Sequence, residues 1–297
     1  MAKLIILIGL SGSGKTNYAE SLEKTNRFIK VVSRNRCVEE FYSQSCRTHK
    51  DENKIYREMI KSTKKYLQQG YDVIFDDANI KRKTRVNLIK EFKEYASEIQ
   101  GHIIWAPYTD CIQRKCRNNI EKAAIKEQLY KWHSPFNDEG FDTIQLIYNC
   151  NVGWNRIQYT CSLLNDMNIN HDNKFHQYTI KDHCARAEEY CYNKYFELPI
   201  LAEAAAYHDI GKPITKTFKS DSEGNVILTA HYYQHDNVGS YLVYGCYDVQ
   251  QQDKALTVSW LVCYHMHPYF DSDYYKNLHG TSKMWLDMLH EADVAAH

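Results

Sequence analysis

The chain has 297 residues, 43% of them apolar, and carries 37 basic and 37 acidic side chains. That length and apolar content suffice for about two domains with real hydrophobic cores. The balanced charge excludes a global field toward nucleic acid or a membrane surface, so any polyanion binding must rest on local patches.

The first predicted element is a strand, Leu4 to Ile8. It runs directly into Gly9-Leu10-Ser11-Gly12-Ser13-Gly14-Lys15-Thr16. This is a complete G-x-x-x-x-G-K-[ST] phosphate loop, with a strand before it and a helix (Asn17 to Lys24) predicted after it. The glycines Gly9, Gly12 and Gly14, with Ser11 and Ser13 between them, let backbone N–H groups face an anion. The following helix presents its positive end to the same point. Lys15 is expected to reach the β- and γ-phosphates, and the Thr16 hydroxyl to ligate Mg²⁺, so ATP with Mg²⁺ is the predicted cofactor.

Strand and helix signals alternate from there. A strand is predicted at Phe28 to Val32, and a long amphipathic helix at Glu52 to Gln69, closed by Gly70. A third strand at Asp72 to Phe75 leads into Asp76-Asp77. A helix follows at Arg82 to Glu98, a strand at His102 to Trp105, a charged helical stretch at Cys111 to Trp132, and a final strand at Thr143 to Tyr148. Such alternation predicts an α/β domain over residues 1–150, a parallel sheet with helices on both faces. Asp76 and Asp77 stand at the carboxyl end of a strand, where open α/β sheets place ligand-contacting residues. One of them is expected to hold Mg²⁺ as in a Walker-B site, the alternative being an N-cap aspartate. Arg114 and Arg117, with Lys115 between them, fit either a lid whose arginines neutralise the transferring phosphoryl group or a solvated basic face. Lys81-Arg82-Lys83 with Arg85 fit either a substrate-backbone contact or plain surface.

With GLSGSGKT at its start, Asp77-Ala78-Asn79 after strand three and an arginine-bearing lid, the segment from Met1 to about Cys150 resembles the kinase domain of phage polynucleotide 5′-kinases. The resemblance implies phosphorylation of a 5′-OH, with Lys15, Asp76, Asp77, Arg114 and Arg117 as its catalytic residues. One departure stands out. That family carries an aspartate just after strand two as the base for the attacking hydroxyl, whereas this chain reads Ser33-Arg34-Asn35-Arg36. An amide cannot accept the proton as a carboxylate would. Either Asp76, Glu39 or Glu40 takes that role, or the kinase is weak, altered or inactive.

After Cys150 the segment Asn151-Val152-Gly153-Trp154 breaks the pattern, and residues 151–297 read as almost wholly helical, with a hairpin predicted around Glu223-Gly224-Asn225. Thr179-x-x-Asp182 predicts a helix start one turn before His183. His208-Asp209 follow the alanine-rich helix Leu201 to Tyr207, with Gly211 as its end. His235 comes after the hairpin, and His265 closes the apolar helix Leu256 to Tyr264. Asp293 lies on the apolar face of the last helix, where a carboxylate requires a cation or several donors. A mixed His/Asp shell suits Mn²⁺, Fe²⁺, Co²⁺, Ni²⁺ or Zn²⁺ and admits Mg²⁺.

The set His183, then His208-Asp209-Ile210-Gly211-Lys212-Pro213, then Asp293 resembles the HD superfamily of metal-dependent phosphohydrolases, from about Asn173 onward. Phe175-His176-Gln177-Tyr178-Thr179, Tyr233-Gln234-His235-Asp236-Asn237-Val238-Gly239 and Tyr264-His265-Met266-His267-Pro268 resemble its flanking segments. The resemblance implies an all-α domain with a first metal on His183, His208, Asp209 and Asp293. His235 and His265 are implied for a second metal, if there is one, and Lys212 for the substrate phosphate. His171, His231, His267, His279 and His290 are expected to be structural or surface residues.

A 5′-kinase joined to a phosphohydrolase matches the plan of nucleic-acid end-healing enzymes, which phosphorylate 5′-OH ends and remove 2′,3′-cyclic or 3′-phosphates before a ligase seals the break. The implied partner is nucleic acid, RNA in the leading reading, with an RNA ligase acting downstream and a phage-type source. Two other readings stay open. One is a small-molecule nucleoside or nucleotide kinase fused to a nucleotidase; the other is a hydrolase regulated by a non-catalytic ATP-binding domain. The 10 cysteines form no CxxC pair, which predicts reduced thiols rather than a zinc ribbon. The N-terminal apolar run is too short for a signal peptide or membrane span, so a cytoplasmic protein without membrane association is expected.

Overall fold

The computed structural model describes residues 2–41, 49–116, 118–172, 177–220 and 226–297. They form two compact units, one of residues 1–125 and 135–150, the other of residues 126–134 and 151–297.

The first unit is built on five parallel strands: β1 (Lys3–Ile8), β2 (Ile29–Ser33), β3 (Asp72–Asp76), β4 (Glu98–Trp105) and β5 (Thr143–Tyr148), in the order β2-β3-β1-β4-β5. Parallel strands need crossovers, and helices at Lys15–Thr25, His49–Gln68, Arg82–Phe92 and Asn119–Tyr130 provide them. Leu4, Ile6, Leu7, Ile8, Val73, Ile74, Phe75, Ile103 and Ile104 are buried along the central strands, the continuous apolar pattern of a sheet covered on both faces. β1 and β3 are neighbours, and Ser33 on β2 stands in register with Asp76 on β3. The phosphate loop and the carboxyl ends of β2 and β3 therefore meet at one edge.

Several boundaries differ from expectation. β4 starts four residues before His102, because Glu98 and Gln100 satisfy each other by a 2.6 Å hydrogen bond and Glu98 pairs with Lys3 at 2.8 Å. The preceding helix correspondingly ends at Phe92. The charged stretch Cys111 to Trp132 is two helices, Tyr108–Lys115 and Asn119–Tyr130. Cys116 is extended, and the Asn118 side chain accepts from Glu121 N at 2.9 Å, which caps the second helix. A helix at Arg34–Phe41 was not anticipated.

The second unit is mainly helical. Its principal helices are Arg156–Asp166, Ile180–Lys194, Pro199–Tyr207, His235–Val243, Gln252–Tyr264 and Gly280–Ala295, with an antiparallel pair, β6 (Thr217–Ser220) and β7 (Val226–His231). The turn expected at Glu223-Gly224-Asn225 lies outside the described residues. Residues 126–134 pack here because Trp132 sets its ring edge-on against Tyr241 and Tyr244, while Ser134 Oγ lies 2.7 Å from the Tyr244 hydroxyl and 2.8 Å from Ser259 Oγ. Thr179 caps its helix by accepting from Asp182 N at 3.1 Å. Gly211 lies in the turn after the helix that ends at Tyr207, with φ −82°. It is there for proximity, since a Cβ on it would lie 2.1 Å from the His235 carbonyl oxygen and 2.6 Å from Gly239 N. The turn carrying Asp209 is thereby pressed against the helix that begins at His235.

Candidate functional site: a phosphate loop and a histidine–aspartate centre

In the first unit the loop has the shape its motif demands. Gly14 takes φ 98°, and a Cβ there would lie 1.9 Å from Asn149 Nδ2. Asn149, just past β5, donates to the Ser13 carbonyl at 2.7 Å and ties the loop down. Sequence reasoning missed this asparagine, for which no motif gives a signal. Lys15 Nζ donates to the Gly9 and Leu10 carbonyls at 3.0 and 2.9 Å. Burial lowers its pKa, with Asp76 and Asp77 opposing that shift, and an arriving polyphosphate would oppose it further.

The two aspartates separate into different surroundings. Asp76 Oδ2 accepts from the Thr16 hydroxyl at 2.9 Å and from Ser33 Oγ at 3.0 Å. A threonine hydroxyl and a carboxylate this close form a donor set that fits Mg²⁺. Asp77 instead accepts from Ala78 N at 2.8 Å and pairs with Arg34 Nη1 at 3.3 Å, and Arg34 also pairs with Glu52. Neither aspartate caps the helix at Arg82, whose N-cap is Lys81. Asn35, Glu39 and Glu40 are exposed.

The basic candidates fare unevenly. Arg114 pairs with Asp110 at 3.6 Å on its own helix, and Arg117 lies outside the described residues. Arg85 is no surface contact: it is fully buried and grips Glu139 through two hydrogen bonds of 2.7 and 2.6 Å. It also donates to the Asn79 and Ile80 carbonyls. A guanidinium so occupied holds the chain after β3 in place. Arg82 pairs with Asp138 at 3.2 Å.

In the second unit, side chains far apart in sequence converge. His183 Nε2 lies 3.1 Å from His208 Nε2 and 2.9 Å from Asp293 Oδ1. His235 Nε2 lies 3.2 Å from His265 Nε2. Asp209 stands between the pairs. Its Oδ2 is 3.4 Å from His208 and 3.7 Å from His183, while its Oδ1 is 3.2 Å from His235 and 3.9 Å from His265. All six residues are buried. Lys212 Nζ lies 2.5 Å from Asp209 Oδ2, and the Tyr269 hydroxyl donates to Asp293 Oδ2 at 2.9 Å. Tyr269 was not anticipated; it follows the His267-Pro268 turn and carries no motif.

The proton positions follow from the partners. His208, His235 and His265 direct Nδ1 at the carbonyls of Ala205, Tyr232 and Val262, at 2.7, 2.8 and 2.7 Å. A carbonyl only accepts, so Nδ1 carries the proton and each Nε2 presents a lone pair inward. The lone pairs of His235 and His265, 3.2 Å apart beside the buried Asp209, repel one another unless a cation or an extra proton lies between them. Backbone-anchored imidazoles with inward Nε2 atoms are also how metal-binding histidines are held. Burial disfavours charge on His208, but Cys184, Asp209 and Asp293 push its pKa well above the usual value. Burial would raise Asp209, but Lys212 and His208 hold it well below the carboxylate range. His265, buried beside His235 and His208, is pulled down to about 3, so it stays a neutral donor. His183, His208 and Asp209 form one group that could hold a metal ion, and Asp209, His235 and His265 another.

Comparison with known proteins bears on the first unit. Residues 4–135 match the family AAA_33, an AAA domain. This region has the parallel sheet and phosphate loop of a P-loop domain, and its loop, Lys15, Thr16 and Asp76 fit ATP and Mg²⁺. No curated protein matches the chain. Among solved structures, it is similar to a chain of the Pnkp1/Rnl/Hen1 RNA repair complex. That likeness has 24% identity and a TM-score of 0.39, covering 43% of this chain and 42% of the other. A fungal RNA kinase is similar at 13% identity and a TM-score of 0.38, covering 55% of this chain and 81% of the other. The chain thus spans about two-fifths of the first of these proteins, and TM-scores below 0.5 give neither likeness weight as to function. No helix among the described residues is long and apolar enough to cross a membrane.

Proposed function

We propose that the protein heals nucleic-acid ends, RNA in the first instance, through an ATP-dependent 5′-kinase site in the first unit and a metal-dependent phosphohydrolase site in the second. The observation that carries this reading is the position of Asp209 between two pairs of inward-facing imidazoles, in a chain that also holds a complete phosphate loop.

In the kinase reaction the 5′-oxygen attacks the γ-phosphorus of ATP, the bond to the β-phosphate oxygen breaks, and ADP leaves. Gly9 to Thr16 and Lys15 hold the phosphates; Thr16 and Asp76 are the residues for Mg²⁺. Asp76 is thereby committed, and Glu39 and Glu40 sit exposed on a helix. Asp77, aimed by Arg34 and the Ala78 amide, is the carboxylate left to take the hydroxyl proton that an aspartate at position 35 would have taken.

In the hydrolase reaction His183, His208, Asp209 and Asp293 would hold a first divalent ion, and His235 and His265 with Asp209 a second. Such ions lower the pKa of bound water and polarise a phosphoryl oxygen. Lys212, the ammonium nearest Asp209, would face the substrate phosphate, and Tyr269 fixes Asp293. The donor set favours first-row divalent ions over Mg²⁺. Metal ligation would satisfy the facing Nε2 atoms of His235 and His265, whose Nδ1 protons are both committed to carbonyls.

The test offers RNA with 5′-OH and 2′,3′-cyclic phosphate ends, together with ATP and a panel of divalent metals. Lys15→Ala is expected to abolish 5′-phosphorylation alone, and Asp209→Ala to abolish phosphate removal alone. An inert wild type sinks the end-healing reading. Activity confined to mononucleotides favours the small-molecule kinase–nucleotidase.

A further inference from the structure

We infer that His297 is an additional donor to the first metal ion of the second unit, beside His183 and Asp293. The inference rests on the proposal that this unit binds divalent ions, and goes beyond the four residues that the HD resemblance assigns to that ion. Asp293 and His297 are four residues apart at the end of the helix Gly280–Ala295, with Ala296 still in helical conformation. That spacing sets both side chains on one face. His297 Nε2 lies 3.9 Å from Asp293 Oδ1, and its ring stacks on His183 with centroids 5.1 Å apart and planes 21° from parallel. Donor atoms of His183, Asp293 and His297 all lie within 4.8 Å of one another. Two donors bound to one ion at about 2.1 Å each stand at most about 4.2 Å apart. The 3.9 Å separation therefore falls within a shared shell with Asp293, and His183 is the third donor of that group.

The physical consequence is selectivity. A further imidazole shifts the site toward ions that favour nitrogen, such as Co²⁺, Ni²⁺ and Zn²⁺, and away from Mg²⁺ and Mn²⁺. The His297 side chain is 35% exposed, against 1% for His183. It is the donor with room to swing away and free a coordination position, which the buried ones lack.

The test uses the full chain stripped of metal and titrated with Co²⁺, followed by its visible absorption, with bound metal counted directly. His297→Ala is expected to bind Co²⁺ about tenfold more weakly with altered bands, and Mn²⁺ nearly as before. His297→Asp restores part of the affinity, and circular dichroism verifies the fold of each variant. Co²⁺ spectra and affinity unchanged in His297→Ala, in a chain whose Asp209→Ala variant loses the metal, overturn this inference and leave the metal site standing. A wild type that binds no Co²⁺ overturns both.

Discussion

The two units solve the problem of holding charge by opposite means. In the first, the backbone does most of it: a contiguous glycine-rich loop presents N–H groups, and one lysine, one threonine and one aspartate finish the site. In the second, the backbone only aims side chains, and the polar atoms at the centre come from several separate helices and turns. A backbone site tolerates side-chain change except where a Cβ would collide. A side-chain centre fails when one member is lost, because the others stay buried and unpaired.

The largest contrast lies in the variants that break one site and spare the other. Asp209→Ala removes the carboxylate shared by both imidazole pairs. Phosphohydrolase turnover is expected to fall at least about a thousandfold, as for loss of a group on which the whole charge arrangement depends. Kinase turnover in the same preparation should stay within about twofold, and Lys15→Ala should give the reverse pattern. Steady-state assays of both reactions on one doubly end-modified RNA check this; parallel loss in either variant breaks the picture of two independent sites.

Next in size is the buried pair of Arg85 and Glu139, both side chains at 0% exposure. Removing one partner strands the other charge, at a cost of about 3–5 kcal/mol. Arg85→Ala should therefore lower the urea midpoint of the first unit's unfolding and leave Co²⁺ binding by the second unchanged. A midpoint within error of wild type would show that water replaces the lost partner.

How much of this was legible in the sequence tracks the same division. The phosphate loop, the five-strand plan and the pair Asp76-Asp77 could be read because local patterns carry them: an apolar run, then glycines, then Lys-Thr. His183, His208-Asp209, His235, His265 and Asp293 could be nominated through the resemblance to the HD superfamily, with the apolar phase of the last helix adding to the case for Asp293. Their mutual distances could not, because these depend on how separate helices pack. Arg85 was read as a substrate-backbone contact or surface for the same reason; its partner Glu139 lies 54 residues away. Asn149 and Tyr269 were invisible because each makes a contact with no local signature, whereas His297, four residues after Asp293, was passed over. Gly211 was read as the end of its helix; its closeness to His235 is a tertiary fact that no local pattern shows.

Asn35 provides a sharper comparison with the polynucleotide kinases whose motif it breaks. If Asp77 serves as proton acceptor despite its pairing with Arg34, Asn35→Asp adds a second carboxylate beside the same site. The kinase rate is expected to rise by about a hundredfold, the lower range for a positioned general base. Asp77→Asn should reduce it by a similar factor in wild type, and by much less in the Asn35→Asp background. Single-turnover phosphorylation of a 5′-OH oligonucleotide measures all three. An Asn35→Asp variant no faster than wild type, with Asp77→Asn still active, would remove Asp77 from the role.

The smallest effect separates the units by pH. His102 on β4 is buried in the first unit and pulled down to about 4 by that burial. Its Nε2 faces the Gln100 side-chain carbonyl oxygen at 3.2 Å, and its Nδ1 lies 2.9 Å from the Tyr18 hydroxyl. The neutral ring satisfies both partners, donating to Gln100 and accepting from Tyr18. A second proton would meet the tyrosine O–H instead of a lone pair. The unfolded chain binds that proton near pH 6.5 and the folded one only near 4, so stability falls as pH drops through this window and is flat above it. Between pH 7.5 and 5 the single group accounts for about 2 kcal/mol, from about 1.5 pH units at about 1.36 kcal/mol each. His102→Gln keeps a donor and an acceptor without the titration. The urea transition that Arg85→Ala shifts should lose about 2 kcal/mol less on acidification in this variant than in wild type, while the helical unit's transition keeps its own pH response unchanged. Equal slopes in the two proteins would mean that the ring is protonated without cost, and that the interior around β4 is wetter than its burial implies.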